Sequence, residues 1–223
     1  MAGANLFDII SPVMIGPSSS HTAGAVRLGL LARHIFNEEP SEVKFVLYNS
    51  YASTGKGHGT DKGLLAGVLG LGVDDIRIRH IFDSGLSKSI NYDFEYIQDF
   101  SRHPNAVDIY LKGNKREMFI SGDSIGAGEI RITKINTFNV SLSGEYNTLI
   151  LVYRDKPGMI STVTSMFKSK KLNIASLDCD RNAKGQEASM VICIDGDLDD
   201  CVVKSIENLN DVYFVTYVRK LEK

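Results

Sequence analysis

The sequence has no tryptophan, five prolines and only three cysteines in 223 residues. The cysteines are Cys179, Cys193 and Cys201, an odd number with no Cys-x-x-Cys pair. Disulfide scaffolds and structural zinc sites need more numerous or more closely spaced cysteines, so the sequence disfavours both. The spacing also matches no iron–sulfur ligand pattern.

The chain also lacks a charge excess and a long apolar run. Its net charge of −2 gives no basic field, so we expect no nucleic-acid binding. No uncharged apolar run reaches the roughly 18 residues of a membrane span. The first eight residues show no basic segment followed by an apolar one, so we expect no secretory leader. These absences predict a cytoplasmic protein with reduced thiols.

The length suffices for two ordinary domains, and the composition changes along the chain. All five histidines precede residue 145, whereas all three cysteines follow it. The segment Ser143–Asn147 is small, polar and turn-forming, which is typical of a linker. We therefore predict one domain over residues 1–145 and a second over 147–223.

The second half alternates regularly between short apolar, β-branched runs and segments of helical periodicity. The patterns predict strands over 148–153, 174–179, 189–194 and 212–218, with helices over 160–172 and 198–209. This order is βαββαβ, the ferredoxin-like split unit.

The first half predicts a mixed α/β domain whose topology the sequence leaves open. Apolar spacing indicates a helix over Ser20–Phe36, a strand over Val43–Tyr48 and a second helix that begins at Thr60 or Asp61. Short strands are predicted near 93–98, 106–112, 116–121, 129–135 and 138–142.

Three serines, a histidine and several small residues occupy Gly16–Gly24, just before the first predicted helix. Helix N-termini expose unpaired N–H groups, so such a segment can bind a phosphate or a carboxylate. His21 adds a titratable group at the same point. The alternative is an ordinary capped helix start, since Ser and Thr are common caps.

A second histidine, His58, lies between glycines in Gly55–Asp61, before the second predicted helix. Glycine on both sides allows a ligand to approach the backbone closely. The alternative is a mobile glycine turn. The spacing fits neither a P-loop nor a dinucleotide fingerprint.

The two segments are more informative together. A helix start disfavours a charged imidazole, so we expect both histidines to be neutral and able to act as bases. If the segments meet in space, they form an anion pocket that suits proton transfer beside a carboxylate. The small-residue segment Ser124–Gly128 is most simply a bulge or a hairpin corner.

These motifs closely resemble the β chains of bacterial iron–sulfur-dependent L-serine dehydratases. The resemblance spans essentially the whole chain and is carried by four segments, Val13–Gly24, Gly57–Asp61, His103–Asn105 and Ser124–Gly128. The βαββαβ half resembles an ACT domain, an amino-acid-sensing module. The first half resembles the allosteric substrate-binding domain that also occurs in some phosphoglycerate dehydrogenases.

The resemblance implies a lyase of amino-acid degradation that converts L-serine to pyruvate and ammonia. It implies a [4Fe–4S] cluster that acts as a Lewis acid and is ligated by a separate α subunit, with no metal held by this chain. It implies His58 as the base and His21 as the residue that orients it, with the substrate carboxylate held by hydroxyl groups. Those hydroxyl groups belong to Ser18, Ser19, Ser20 and Thr22.

For the ACT half, the resemblance implies self-pairing and a site for L-serine or another small amino acid as effector. The implied effector residues are Asp155, Pro157, Gly158, Asn173 and Ile174. An alternative is a non-catalytic, amino-acid-binding regulatory subunit in which the Ser/His segments only bind an anion. A dehydrogenase regulatory fragment is disfavoured because the sequence has no dinucleotide fingerprint.

Overall fold

The computed structural model describes residues 14–222 of the chain. The chain divides into two compact units, of which the first ends at Thr133 and the second covers Lys134–Glu222. The predicted two-domain architecture with a mixed α/β first part is confirmed, while the boundaries 1–145 and 147–223 stay a prediction. The chain start, where we expect no secretory leader, lies outside the described residues.

The first unit combines helices with the strands of one mixed sheet. Its helical elements are a π-helical turn (Ser19–Ala23), α1 (Gly24–Phe36), α2 (Asn49–His58), α3 (Thr60–Val68) and two 3₁₀ segments (Ile76–Asp83 and Ser87–Ser89). Its strands are β1 (Glu42–Tyr48), β2 (Asn91–Ile97), β3 (Ala106–Lys112), β4 (Glu117–Gly126) and β5 (Glu129–Ile135), and the division between the units falls within β5.

The sheet has the order β2-β1-β3-β4-β5-β6, where β6 is Phe138–Leu142. Strand β1 pairs in parallel with β2 and antiparallel with β3. Its residues Val43, Phe45 and Leu47 are buried, whereas Glu42 and Lys44 are exposed. Over residues 42–45 this alternation follows from the two-residue period of a strand, whereas Val46 is buried as well.

Helices α1 and α3 approach each other so closely that their backbones touch. A Cβ atom on Gly67 of α3 would collide with the carbonyl oxygen of Val26 in α1. A Cβ atom on Gly63 would lie 2.8 Å from the carbonyl oxygen of Thr22. Only glycine permits this contact, which brings the first turn of α3 against the turn that precedes α1.

The alternative of a mobile glycine turn around His58 is wrong, because helix α2 runs through Gly55 to His58. Two glycines lower the helix propensity of this segment, so local sequence gives no helix signal. The start of α2 is instead stabilised by a residue that is distant in the chain. Backbone N–H groups of Ser50 and Tyr51 donate to the carbonyl oxygen of Pro104, at 2.8 and 3.3 Å.

The second unit continues from β6 with β7 (Asn147–Arg154), α4 (Met159–Ser169), β8 (Asn173–Arg181), β9 (Glu187–Asp195), α5 (Asp200–Glu207) and β10 (Val212–Val218). The strands β7 to β10 form an antiparallel sheet of order β10-β7-β9-β8. The predicted βαββαβ unit is therefore confirmed. Its core is formed by large apolar residues such as Leu149, Val163, Phe167, Ile192 and Ile206.

None of the helices in the part of the chain that the structure describes is long and apolar enough to cross a membrane.

Candidate active site

The serine-rich segment forms a tight turn over residues 18–23, called the serine turn below, that leads directly into α1. Ser18 precedes the turn with an extended backbone, and its side-chain oxygen accepts a hydrogen bond from the backbone N–H of His21 at 3.2 Å. Its carbonyl oxygen accepts from the backbone N–H of Thr22 at 2.8 Å. This is the cap arrangement that serine favours, so the predicted helix start is confirmed.

His21 lies at the centre of a group of hydroxyls. Its Nδ1 atom is 3.1 Å from Oγ of Ser20 and 3.4 Å from Oγ of Ser18. Its Nε2 atom is 3.1 Å from Oγ of Ser50 and 3.0 Å from Oγ1 of Thr54. The half-buried imidazole is therefore held at both nitrogens, by the serine turn on one side and by α2 on the other.

His58 lies beside His21, so the two predicted segments do meet. The ring centroids are 5.0 Å apart, with the planes tilted by 60°. The hydroxyl of Thr22 donates to the carbonyl oxygen of His58 at 2.7 Å, which ties the two segments together. The His58 side chain is exposed, in contrast to the half-buried His21.

The prediction that the second helix begins at Thr60 is confirmed, but the residues before it belong to the unpredicted helix α2. His58 is the last residue of α2, and Gly59 then turns the chain at φ +70° into α3. A left-handed residue at this position is common at a helix end and favours glycine. The helix start nearest to His58 in this segment is that of Thr60, two residues further along the chain.

The structure lowers the pKa of His21 below the ordinary imidazole value. The main cause is burial, which removes water from the charged form, and repulsion from a charged His58 adds to it. His21 therefore favours the neutral form, as expected, but the main cause is burial and not the helix start.

The hydroxyl groups predicted to hold a carboxylate occupy different environments. Ser18, Ser19 and Ser20 are half-buried within the turn, and the side-chain oxygens of Ser18 and Ser20 lie 3.4 Å apart. Thr22 is 2% exposed, and its hydroxyl hydrogen is already donated to the carbonyl oxygen of His58. The turn therefore offers serine hydroxyls, while Thr22 joins the two segments.

Two residues that sequence reasoning left out of the site fix the position of Ser20. The hydroxyls of Tyr51 and Ser124 both donate to the carbonyl oxygen of Ser20, each at 2.8 Å. Both side chains are fully buried, and burial raises the pKa of the Tyr51 phenol. Ser124 had a signal in its small-residue motif, at the predicted hairpin corner between β4 and β5, whereas Tyr51 had none because α2 was not predicted.

Asn105 connects the third motif of the resemblance to the same place. Its side-chain N–H donates to the carbonyl oxygen of Ser124 at 3.4 Å, and its carbonyl oxygen accepts from the Ser124 N–H at 3.1 Å. Asn49, in the left-handed region at φ +49°, fixes the preceding loop by accepting from the N–H of Asp99 and donating to its carbonyl oxygen. His103 is exposed on this loop.

The predicted effector residues lie at two separate ends of the second sheet. Asp155 follows β7 and accepts from Arg181, at the end of β8, at 3.1 Å. Asn173 begins β8 and donates to Asp195, at the end of β9, at 2.7 Å. The remaining residues of the set follow this division, with Pro157 and Gly158 beside Asp155, and Ile174 beside Asn173.

The three cysteines do not form a cluster site. Cys193 is buried on β9, while Cys179 and Cys201 are exposed on β8 and α5. Within residues 14–222, no group of three or more His, Cys, Asp or Glu side chains is placed to hold a metal ion. Since iron–sulfur clusters are ligated mainly by cysteine thiolates that converge, the described residues do not fit such a cluster.

Comparison with known families matches both halves of the chain. The family described as "Serine dehydratase beta chain" matches residues 5–134. The family described as "AHAS small subunit-like ACT domain" matches residues 149–214. The second match agrees with the βαββαβ unit that the structure shows.

Two serine dehydratase relatives match over nearly their whole length. The "Probable L-serine dehydratase, beta chain" of Bacillus subtilis is 38% identical over 96% of this chain and 97% of its own. The "L-serine dehydratase, beta chain" of Peptoniphilus asaccharolyticus is 35% identical over 98% of this chain and 99% of its own. A D-3-phosphoglycerate dehydrogenase of B. subtilis is 26% identical over 70% of this chain but 30% of its own.

Proposed function

The chain belongs to the serine dehydratase β-chain family, and we propose that it supplies the His21–His58 site to an L-serine ammonia-lyase formed with an α chain. Its function is that of the β subunit of a serine dehydratase. The observation that carries the catalytic part of the proposal is the contact between the two histidines. Their ring centroids lie 5.0 Å apart, beside the hydroxyl groups of the serine turn.

In the proposed reaction, a base removes the α-proton of L-serine and the β-hydroxyl leaves as water. The resulting enamine becomes an imine, and water then converts it to pyruvate and ammonia. We assign the base to His58, because its exposed imidazole is open to a substrate that a partner chain presents. Hydroxyls at both nitrogens hold the ring of His21 in place, and we assign it the role of orienting His58 through the contact between the two rings.

The proposed site for the substrate carboxylate is the serine turn. Ser18, Ser19 and Ser20 lie at the start of a continuous helical segment, where hydroxyl and backbone donors favour an anion. Thr22 contributes indirectly, because its bond to the carbonyl oxygen of His58 keeps the base beside that turn.

We assign the [4Fe–4S] cluster implied by the resemblance to the α chain, because the cysteines of this chain do not converge. The steps assigned to this chain are proton transfer and carboxylate binding. We therefore expect the purified β chain to show no dehydratase activity by itself. Robust formation of pyruvate by the single chain would contradict this assignment.

The decisive experiment is anaerobic co-expression with the α chain and measurement of pyruvate from L-serine. We expect His58→Ala and His21→Ala to lower the turnover at least about a hundredfold, the usual contribution of a general base. His80→Ala is the matched control, since this exposed histidine lies on a 3₁₀ segment outside the site. Full activity of both site variants would instead favour the non-catalytic, amino-acid-binding subunit.

For the ACT unit, we propose that two copies pair side by side and share the effector site. Strand β8 is at the edge of its sheet, with Asn173 at one end and Arg181, which holds Asp155, at the other. If two β8 strands pair antiparallel, Asn173 of one copy comes beside the Asp155–Gly158 loop of the other. Within one copy, Asn173 and Asp155 lie at opposite ends of β8, so the predicted effector residues do not come together.

Calorimetry with L-serine tests this site in the full chain. We expect Asn173→Ala to weaken binding about tenfold, and Asn114→Ala, an exposed asparagine of the first unit, to leave it unchanged. Light scattering should give the mass of a dimer. A monomer that binds L-serine with full affinity would contradict the shared site.

A further inference from the structure

The hydrogen bonds between His21 and α2 indicate which nitrogen of the imidazole carries the hydrogen. Two hydroxyls of α2 approach Nε2, that of Ser50 at 3.1 Å and that of Thr54 at 3.0 Å. A hydroxyl has one hydrogen to donate and lone pairs with which to accept. The direction of these contacts therefore depends on where each hydroxyl hydrogen goes.

The hydrogen of Thr54 is already used. Thr54 lies one helical turn after Ser50, and its hydroxyl donates to the carbonyl oxygen of Ser50 at 2.7 Å. Threonine in a helix commonly makes this bond to the carbonyl four residues earlier. Toward His21, Oγ1 of Thr54 can then only accept a hydrogen bond, so the hydrogen between them belongs to Nε2.

The opposite side of the ring agrees with this placement. A neutral imidazole carries one hydrogen, so a protonated Nε2 leaves Nδ1 as an acceptor. Oγ of Ser20 lies 3.1 Å from Nδ1 and is its nearest hydroxyl. The Ser20 backbone is fixed by the bonds that Tyr51 and Ser124 donate to its carbonyl oxygen.

We propose that Thr54 is a positioning residue that holds the hydrogen of His21 on Nε2, so that Nδ1 accepts a hydrogen bond from Ser20. Ser18 then keeps its own hydroxyl hydrogen for a substrate carboxylate, while that of Ser20 is committed to His21. The placement of the hydrogen is a property of the chain itself, whereas its catalytic consequence rests on the proposed function.

Nitrogen NMR of the full chain with ¹⁵N-labelled histidine tests the placement directly. The measurement is made above the imidazole pKa, and the signals of His21 are identified by their loss in His21→Gln. We expect the wild-type ring to carry its hydrogen on Nε2. Thr54→Val removes the acceptor at Nε2, so the hydroxyl of Ser50 can donate to Nε2 instead. We expect the population of the other tautomer to rise about fivefold, the effect of one ordinary hydrogen bond.

Two further variants separate the role of Thr54 from general damage to α2. Thr54→Ser can still donate to the carbonyl oxygen of Ser50 and should restore the wild-type tautomer, and Ser50→Ala should leave it unchanged. If Thr54→Val does not fold, Thr54→Ala takes its place. A wild-type ring with its hydrogen on Nδ1, or a tautomer that is the same in Thr54→Val, would overturn the proposal.

Turnover by the assembled two-chain enzyme tests the consequence. We expect Thr54→Val to lower kcat about tenfold with little change in KM, and Thr54→Ser to recover most of it. Wild-type kcat in a Thr54→Val enzyme that shows the altered tautomer would overturn the catalytic consequence alone. If the wild-type complex forms no pyruvate, the proposed function fails while the NMR result still decides the tautomer.

Discussion

The helices of the two units pack through different kinds of contact. In the second unit, large side chains such as Phe167 fill the space between the helices and the sheet. In the first unit, α1 and α3 touch through glycines, and a Cβ atom at Gly67 would meet the backbone of Val26. The close approach brings the start of α3 to the serine turn, so the absence of side chains there is part of how the site is built.

In the second unit, this packing predicts a large loss of stability when a core side chain is removed. Phe167 is fully buried in the apolar cluster between α4 and its sheet. We expect Phe167→Ala to lower the free energy of unfolding by about 4 kcal/mol, because it removes buried apolar contacts and leaves a cavity. Chemical denaturation monitored by circular dichroism measures the effect. A loss near that of an exposed substitution, such as Phe100→Ala, would contradict the assigned core.

The first unit should instead be sensitive to the gain of one methyl group. We expect Gly67→Ala to cost about 3 kcal/mol, because the new Cβ atom meets a backbone oxygen that side-chain rotation does not relieve. Gly57→Ala is the matched control within α2, where an added Cβ atom meets nothing within 4 Å among the described residues. There we expect a gain of about 0.5 kcal/mol. Equal effects of the two substitutions would contradict the close backbone contact at Gly67.

The buried hydrogen bonds to Ser20 sharpen the comparison at the site itself. Tyr51→Phe removes one of the two hydroxyls that donate to the Ser20 carbonyl oxygen and should cost about 1 kcal/mol in unfolding free energy. Ser124→Ala should cost a similar amount. Combined, they leave a buried oxygen without either donor, so we expect the double variant to lose more than the sum. Simple additivity would show that the two donors act independently.

The smallest expected effect is the pH dependence that His21 contributes. Because the folded chain lowers the pKa of His21, the unfolded chain binds its proton more readily. The stability from a neutral His21 is complete above the ordinary pKa of 6.5 and declines as the pH falls below it, down to the lowered value. Urea unfolding over a pH series should show a shallower decline for His21→Gln. An unchanged decline would assign the effect to other groups.

The sequence predicted these two units with unequal success. In the second unit, each strand and helix shows its own periodicity, and neighbouring elements pair through short connections, so the βαββαβ order was predicted correctly. In the first unit, α2 contains Gly55 and Gly57, and its first N–H groups depend on Pro104, far along the chain. No local pattern shows such support, so α2 was not predicted, although the start of the next helix at Thr60 was.

The candidate site follows the same division. The residue types of the turn and the two histidines were visible as motifs, because small residues and a titratable group at a helix start have a direct chemical meaning. The contacts of His21 with Ser50 and Thr54 were not visible, since they require α2 to exist and to lie against the turn. Tyr51 was hidden for the same reason.

By itself, the sequence determined the ACT-like unit, the helix start at the serine turn and the chemical character of the site, because each depends on residues close together in the chain. Only tertiary packing brings His21 and His58 together and places four hydroxyls around His21. These properties arise from contacts such as Thr22 with His58 and Ser124 with Ser20. They join residues distant in the chain, and only the packing of the elements brings such residues within hydrogen-bond distance.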